Sequence, residues 1–140
     1  MASTTPVEML AAVDLFSVLT KKEIKKIHDT GKEVSFRAGR TIVSEGETGV
    51  GFHLILKGKA KVTVNKRLRA TLGPGDYFGE MAIIDRGPRS ASVTADTEVT
   101  TLAIASWDFM PVLSENFEMC RKILIELSAR LRRAEKSLTH

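Results

Sequence analysis

Between Lys32 and Ile104 the chain is written in short runs of alternating apolar and polar residues, and glycines cut the runs apart. This pattern excludes long helices there, because a buried helix face needs apolar residues three and four apart over several turns. Residues 32–36 alternate before the turn at Ala38-Gly39, and residues 41–43 end at Glu45-Gly46-Glu47. Residues 52–56 make a stronger strand, closed by Gly58. Ala60, Val62 and Val64 alternate with Lys61 and Thr63, as a half-buried strand requires. Residues 68–72 follow. In Gly73-Pro74-Gly75-Asp76, proline fixes φ and glycine admits positive φ, which makes a turn. Residues 90–94 and 98–104 are rich in valine and threonine, which suit strands. The expectation is a mainly β fold, a sandwich or barrel of jelly-roll type, with flanking helices.

The flanks read differently. Residues 1–12 are expected to be loose, and residues 13–31 to hold short helices. The run at 13–19 is a short apolar helix or turn. Thr20 and Glu23 have the spacing of a capping box. The helix they open buries Ile24 and Ile27 and ends near Gly31, with Lys21, Lys22, Lys25 and Lys26 on a solvated face. Residues 32–105 form the β-roll, and residues 106–140 the C-terminal helices. There Ser106 caps a short helix that Pro111 restricts, and Ser114 caps a long one over residues 115–136. Phe117, Cys120, Leu124, Leu127, Leu131, Ala134 and Leu138 alternate three and four apart, a heptad seam that Ile123 widens. Two readings of the seam stand open: packing on its own barrel, or a homodimer made with a second copy. Arg130, Arg132, Arg133 and Lys136 suit the negative end of the helix dipole.

At 140 residues the chain is expected to be a single domain. No run is long and apolar enough to span a bilayer, and no secretory leader opens the chain, so the expected location is cytoplasmic and no membrane partner is expected. The net charge of +4 is too small to argue for nucleic acid. The lone Cys120 allows no intrachain disulfide, and His28, His53 and His140 lack ligand spacing, so no metal site or cofactor is expected. No nucleophile and base pair stands out, so no catalytic residue is assigned and the chain is not read as an enzyme.

Residues 78–93, Phe-Gly-Glu-Met-Ala-Ile-Ile-Asp-Arg-Gly-Pro-Arg-Ser-Ala-Ser-Val, concentrate the chemistry. Gly79 lets a backbone approach closely. Glu80 can accept hydrogen bonds from vicinal hydroxyls. The apolar run after it suits one helical turn, whose free N–H groups favour a phosphate. Arg89 can present two donors to an anion at once. Ser90 adds a hydroxyl, and the small Ala91 leaves its N–H approachable. Against this, Gly79 could be an ordinary turn glycine, and Glu80 with Arg89 a plain ion pair.

The stretch resembles the phosphate-binding cassette of cyclic nucleotide-binding domains, the family of the catabolite gene activator and the regulatory subunit of protein kinase A. That pattern runs Phe-Gly-Glu-x-Ala, an apolar pair, a spacer, then Pro-Arg-(Ser/Thr/Ala)-Ala-(Ser/Thr)-Val, and every position matches. Ile42-Val43-x-x-Gly46-Glu47, an apolar strand and Gly58 resemble the family's first strand pair, with His53 departing from its usual aromatic or aliphatic residue. The resemblance implies a ligand site of Gly79, Glu80, Met81, Ala82, Arg89, Ser90 and Ala91. Glu80 and the Gly79 backbone would hold the ribose 2′-hydroxyl. Arg89 would neutralise the cyclic phosphate. Ser90 and the backbone of Ala82 and Ala91 would complete the cradle. It implies a sensor whose C-terminal helix reports occupancy to an effector protein, with cAMP as ligand. The open alternatives are a regulatory subunit or fragment binding cGMP and a protein-interaction module with a degenerate pocket. Gene-regulator relatives place polar residues of this helix on the base, where Leu131, Ala134 and Glu135 stand here. No DNA binding is expected from this chain alone.

Overall fold

In the computed structural model, which describes residues 4–139, two four-stranded antiparallel sheets lie face to face with helices on the outer side of one. The strands are β1 (Lys32–Phe36), β2 (Thr41–Val43), β3 (Gly51–Lys57), β4 (Ala60–Val64), β5 (Arg67–Leu72), β6 (Tyr77–Phe78), β7 (Ser92–Ala95) and β8 (Val99–Ala105). One sheet runs β1-β8-β3-β6 and the other β2-β7-β4-β5. The helices are α1 (Pro6–Ala11), α2 (Lys21–His28), α3 (Ala82–Asp85), α4 (Ser106–Glu115) and α5 (Phe117–Thr139), with a 3-10 turn at Asp14–Phe16. This is the jelly-roll class expected, built as a sandwich with flanking helices.

Because β3 and β8 are central and covered on both faces, their sequences are nearly continuous apolar runs. Between the sheets lie Ile55, Ala60, Val93, Ala95 and Val99. Under the helices lies a larger core, where Phe16 meets Phe52 edge-on at 5.6 Å and Phe109 at 5.8 Å. Each such aromatic contact adds about 0.5–1.5 kcal/mol beyond the area buried.

The capping box at Thr20 is present in full: Glu23 N–H donates to Thr20 Oγ1, and Thr20 N–H donates to Glu23 Oε1 at 2.8 Å. Lys122 Nζ donates to that same Glu23 oxygen, so the cap also ties α2 to α5. Gly31 lies past the end of α2. A Cβ there would stand 2.7 Å from Leu102 Cδ1, so a larger residue would have to push the Leu102 side chain aside.

Four details of the helices differ from the sequence expectation. Pro6–Ala11, expected to be loose, form a helix capped by Thr5 and anchored by the fully buried Leu10. Pro111 sits inside α4, where burial of Phe109 and Leu113 offsets the lost backbone hydrogen bond. Ser106 is the first residue of that helix and makes no side-chain cap bond. Ser114 also belongs to α4, donating to Pro111 O, and the break before α5 falls at Asn116.

Candidate ligand-binding site

The segment after β2 runs back against the end of the cassette and fixes Arg89 by its main chain. Arg89 N–H donates to Glu47 O at 2.8 Å, Gly46 N–H to Arg89 O at 2.9 Å, and Gly49 N–H to Gly87 O at 2.9 Å. The Gly46-Glu47 pair noted in the sequence therefore holds the arginine backbone. The guanidinium lies in a slot that glycines leave open. A Cβ on Gly49 would stand 2.6 Å from Ala82 Cβ and 3.1 Å from Arg89 Nε. Gly79 has φ of 82°, and a Cβ on it would collide with Arg89 Nη1 and Gly51 O. Arg89 Nη2 donates to that same Gly51 O at 2.8 Å.

No carboxylate among the described residues pairs with Arg89. Partial burial pushes its pKa below the ordinary arginine value, and no protein counter-charge among the described residues offsets it. The plain Glu80–Arg89 ion pair is therefore not what forms. Glu80 turns to α5 instead: Arg130 Nη1 donates to Oε1 at 3.1 Å and Nη2 to Oε2 at 3.2 Å. Both side chains are 23% exposed. The bond to Glu80 holds Arg130 more firmly protonated than usual. A two-pronged arginine uses two of the four lone-pair directions of a carboxylate, so Glu80 keeps acceptor capacity for a hydroxyl. Beside the pair stands Tyr77, whose phenol is pushed upward by burial first and by the Glu80 charge second.

Beneath the cassette, the His53 ring stacks on Phe78 at 5.0 Å and meets Phe36 edge-on at 6.1 Å. Its Nδ1 bonds Thr101 Oγ1 at 2.9 Å. Burial first, and the Arg89 charge second, lower its pKa to about 4, so the ring is neutral at physiological pH. A flat neutral ring fills the niche an aromatic would fill, which accounts for the departure at this position.

These elements enclose a cavity of about 510 Å³. All seven residues singled out in the sequence line it: Gly79, Glu80, Met81, Ala82, Arg89, Ser90 and Ala91. Val43, Val62 and Leu72 supply an apolar wall from the facing sheet. The short helix α3 begins at Ala82, and its first committed N–H is that of Ile83, bonded to Gly79 O at 3.2 Å. The cavity thus carries a cation and a hydroxyl at one side, a carboxylate at another, and an apolar wall between. It suits a small anion that also bears hydroxyls and a flat apolar part.

The sequence reading missed Arg130. Leu131, Ala134 and Glu135, the positions considered for α5, are all exposed. The buried face of α5 is carried by Met119 and Ile123, and seven residues on from Ile123 is Arg130. That spacing was the available signal.

The family description "Cyclic nucleotide-binding domain" matches residues 33–116. The chain belongs to this family. The domain is 32% identical over 141 aligned residues to the CRP-like cAMP-activated global transcriptional regulator of Mycobacterium tuberculosis, covering 94% of this chain and 61% of that protein. It is 34% identical over 114 residues to the cAMP-dependent protein kinase regulatory subunit of Schizosaccharomyces pombe, covering 81% of this chain and 28% of that one. The chain thus spans less than two thirds of the length of either relative. Among solved structures, the N-terminal domain of a transcriptional regulator from Streptomyces coelicolor A3(2) superposes with a TM-score of 0.86 at 29% identity, covering 93% of this chain and 94% of that one. Among the described residues of the domain, no helix is long and apolar enough to cross a membrane.

Proposed function

We propose that this cyclic nucleotide-binding domain is a sensor for cAMP and passes occupancy on through α5. The observation that carries the reading is Arg89: a part-buried guanidinium on the cavity wall with no carboxylate partner among the described residues. A cyclic phosphate would supply the missing charge in a two-donor contact. The Ser90 hydroxyl and the backbone N–H groups of Ala82 and Ala91 would complete the cradle, with Met81 beside it. Glu80 and the Gly79 backbone would take the ribose 2′-hydroxyl. The preference for cAMP over cGMP leans on the CRP-like relative, which aligns with 94% of this chain, whereas a cGMP-dependent protein kinase aligns with 69% of it. An intact set of seven cavity residues speaks against a degenerate pocket.

Arg130 supplies the route to α5. A ligand moves a helix only by favouring one arrangement over another. The ribose would share its acceptor, Glu80, with the only residue of α5 whose hydrogen bond reaches the cassette among the described residues. We expect Arg130→Met to weaken cAMP binding about tenfold by loosening Glu80, because a charged hydrogen-bonded partner is lost. The 2′-deoxy analogue should bind wild type and variant almost equally. Fluorescence titration of both ligands against both proteins checks this. Equal losses for the two ligands would remove Arg130 from the ribose contact.

The effector would be a separate protein or a further domain, and we propose that two copies of this chain pair with each other along α5. Phe117, Leu124, Leu131 and Leu138 are 75%, 59%, 62% and 87% exposed, one heptad apart. Helix α5 packs on its own domain through Met119 and Ile123, with Cys120 and Leu127 of the seam part-buried against the same core, which leaves the other half of the seam, these four residues, for a partner helix. Leu124→Glu with Leu131→Glu should convert a dimer to a monomer in sedimentation equilibrium. A wild-type protein that sediments as a monomer at high concentration would remove the pairing.

A further inference from the structure

Between Glu47 and Asp76 the chain carries six lysines and arginines and no aspartate or glutamate. The whole chain is only +4, so the remainder of the molecule is net acidic and this basicity is local. The structure puts five of the six on the β4–β5 hairpin and the turn before it, and Lys57 at the end of β3. Lys61 pairs with Asp96 at 3.2 Å. Lys59, Lys66, Arg67 and Arg69 make no ion pair among the described residues. Strand β5 is the last strand of its sheet and pairs with β4 alone. Residues 67–71 are all exposed, and Leu68 stands 59% open between the two arginines.

We propose that the outer edge of β5 is a docking strand for an acidic, extended segment of a partner protein. Three features select that occupant. An unpaired strand edge offers a row of main-chain N–H and C=O groups, which an added polypeptide strand satisfies. The exposed Leu68 offers an apolar contact to a side chain of that strand. The cations repel a second copy of the same edge and attract an acidic one. A nucleic acid would use the charges but neither the ladder groups nor the leucine. Because Val62 of β4 and Leu72 of β5 also wall the cavity, a docked segment would lie on the hairpin that borders the ligand site.

The test uses the whole chain and two labelled ten-residue peptides, one alternating glutamate with valine and one alternating lysine with valine. The glutamate peptide should bind saturably by fluorescence anisotropy and slow hydrogen exchange at those β5 amides that are not bonded to β4. Arg67→Glu with Arg69→Glu should weaken it about tenfold, since two attractions become repulsions. That variant should also gain binding of the lysine peptide. Both side chains are exposed and unpaired, so its far-ultraviolet circular dichroism should match wild type. Should it not fold, Lys66→Glu in the turn gives the same sign with a smaller loss. Absence of saturable binding to wild type overturns the proposal. So does binding that leaves β5 exchange unchanged, or β5 protection by a DNA duplex or phosphatidylserine vesicles but not by the peptide.

Discussion

Arg89→Ala should lower cyclic nucleotide affinity about a hundredfold or more while leaving the domain as stable as before. Removing one partner of a desolvated, hydrogen-bonded charge pair typically costs about 2–5 kcal/mol of binding. The stability half of the expectation separates a ligand-binding arginine from a structural one. Among the described residues the guanidinium makes one hydrogen bond, to Gly51 O, worth about 1 kcal/mol. Against that stands the cost of burying a cation without a counter-charge, which the lowered pKa records. The two act in opposite directions. A melting temperature within a few degrees of wild type, with binding lost, is the expected pair of results. Arg89→Lys should fall between, because a point charge replaces a planar fork. Affinity unchanged in Arg89→Ala would remove the phosphate assignment.

Acid should weaken the fold through His53. Its pKa is about 4 in the folded domain against about 6.5 in an unfolded chain. Between those values the unfolded state binds a proton that the folded state refuses. Stability therefore falls as pH falls through this window. The contribution is whole above pH about 6.5 and gone below about 4, and its full size is on the order of 3 kcal/mol. His53→Phe keeps a ring against Phe78 and Phe36 but cannot take a proton. It leaves the Thr101 hydroxyl without its partner, so it should start less stable at neutral pH. Its stability should then change less than that of wild type down to pH about 4. The carboxylates titrate in both proteins, so the difference between the two urea-denaturation profiles isolates the imidazole. Parallel profiles would mean that His53 charges freely in the folded domain.

The cassette was legible because it is contiguous. Its glycine, acid, helical turn and arginine sit at fixed spacing within one stretch, and the structure gathers them around one cavity. The strands were legible because each half-buried run alternates and ends at a turn residue. What the sequence hid depends on distance along the chain or on context. Strand β6 is two residues long and exists only because β3 lies beside it. Pro111 reads as a helix end, and only the burial of Phe109 and Leu113 shows why the helix continues. The partner of Glu80 lies fifty residues away on another helix. Four cations near the end of α5 looked alike as dipole partners, and folding distinguishes Arg130 from them. The heptad seam was visible, but only the structure shows that it divides: Cys120 and Leu127 lean on the domain's own core beside Met119 and Ile123, while Phe117, Leu124, Leu131 and Leu138 are exposed.

The most direct test is calorimetric titration of the purified domain, stripped of carried-over nucleotide, with cAMP and separately with cGMP. Saturable binding at one site per chain, tighter for cAMP, is the expected result. Folded protein that gives no saturable binding with either would contradict the sensor reading, and tighter binding of cGMP would overturn the choice of base.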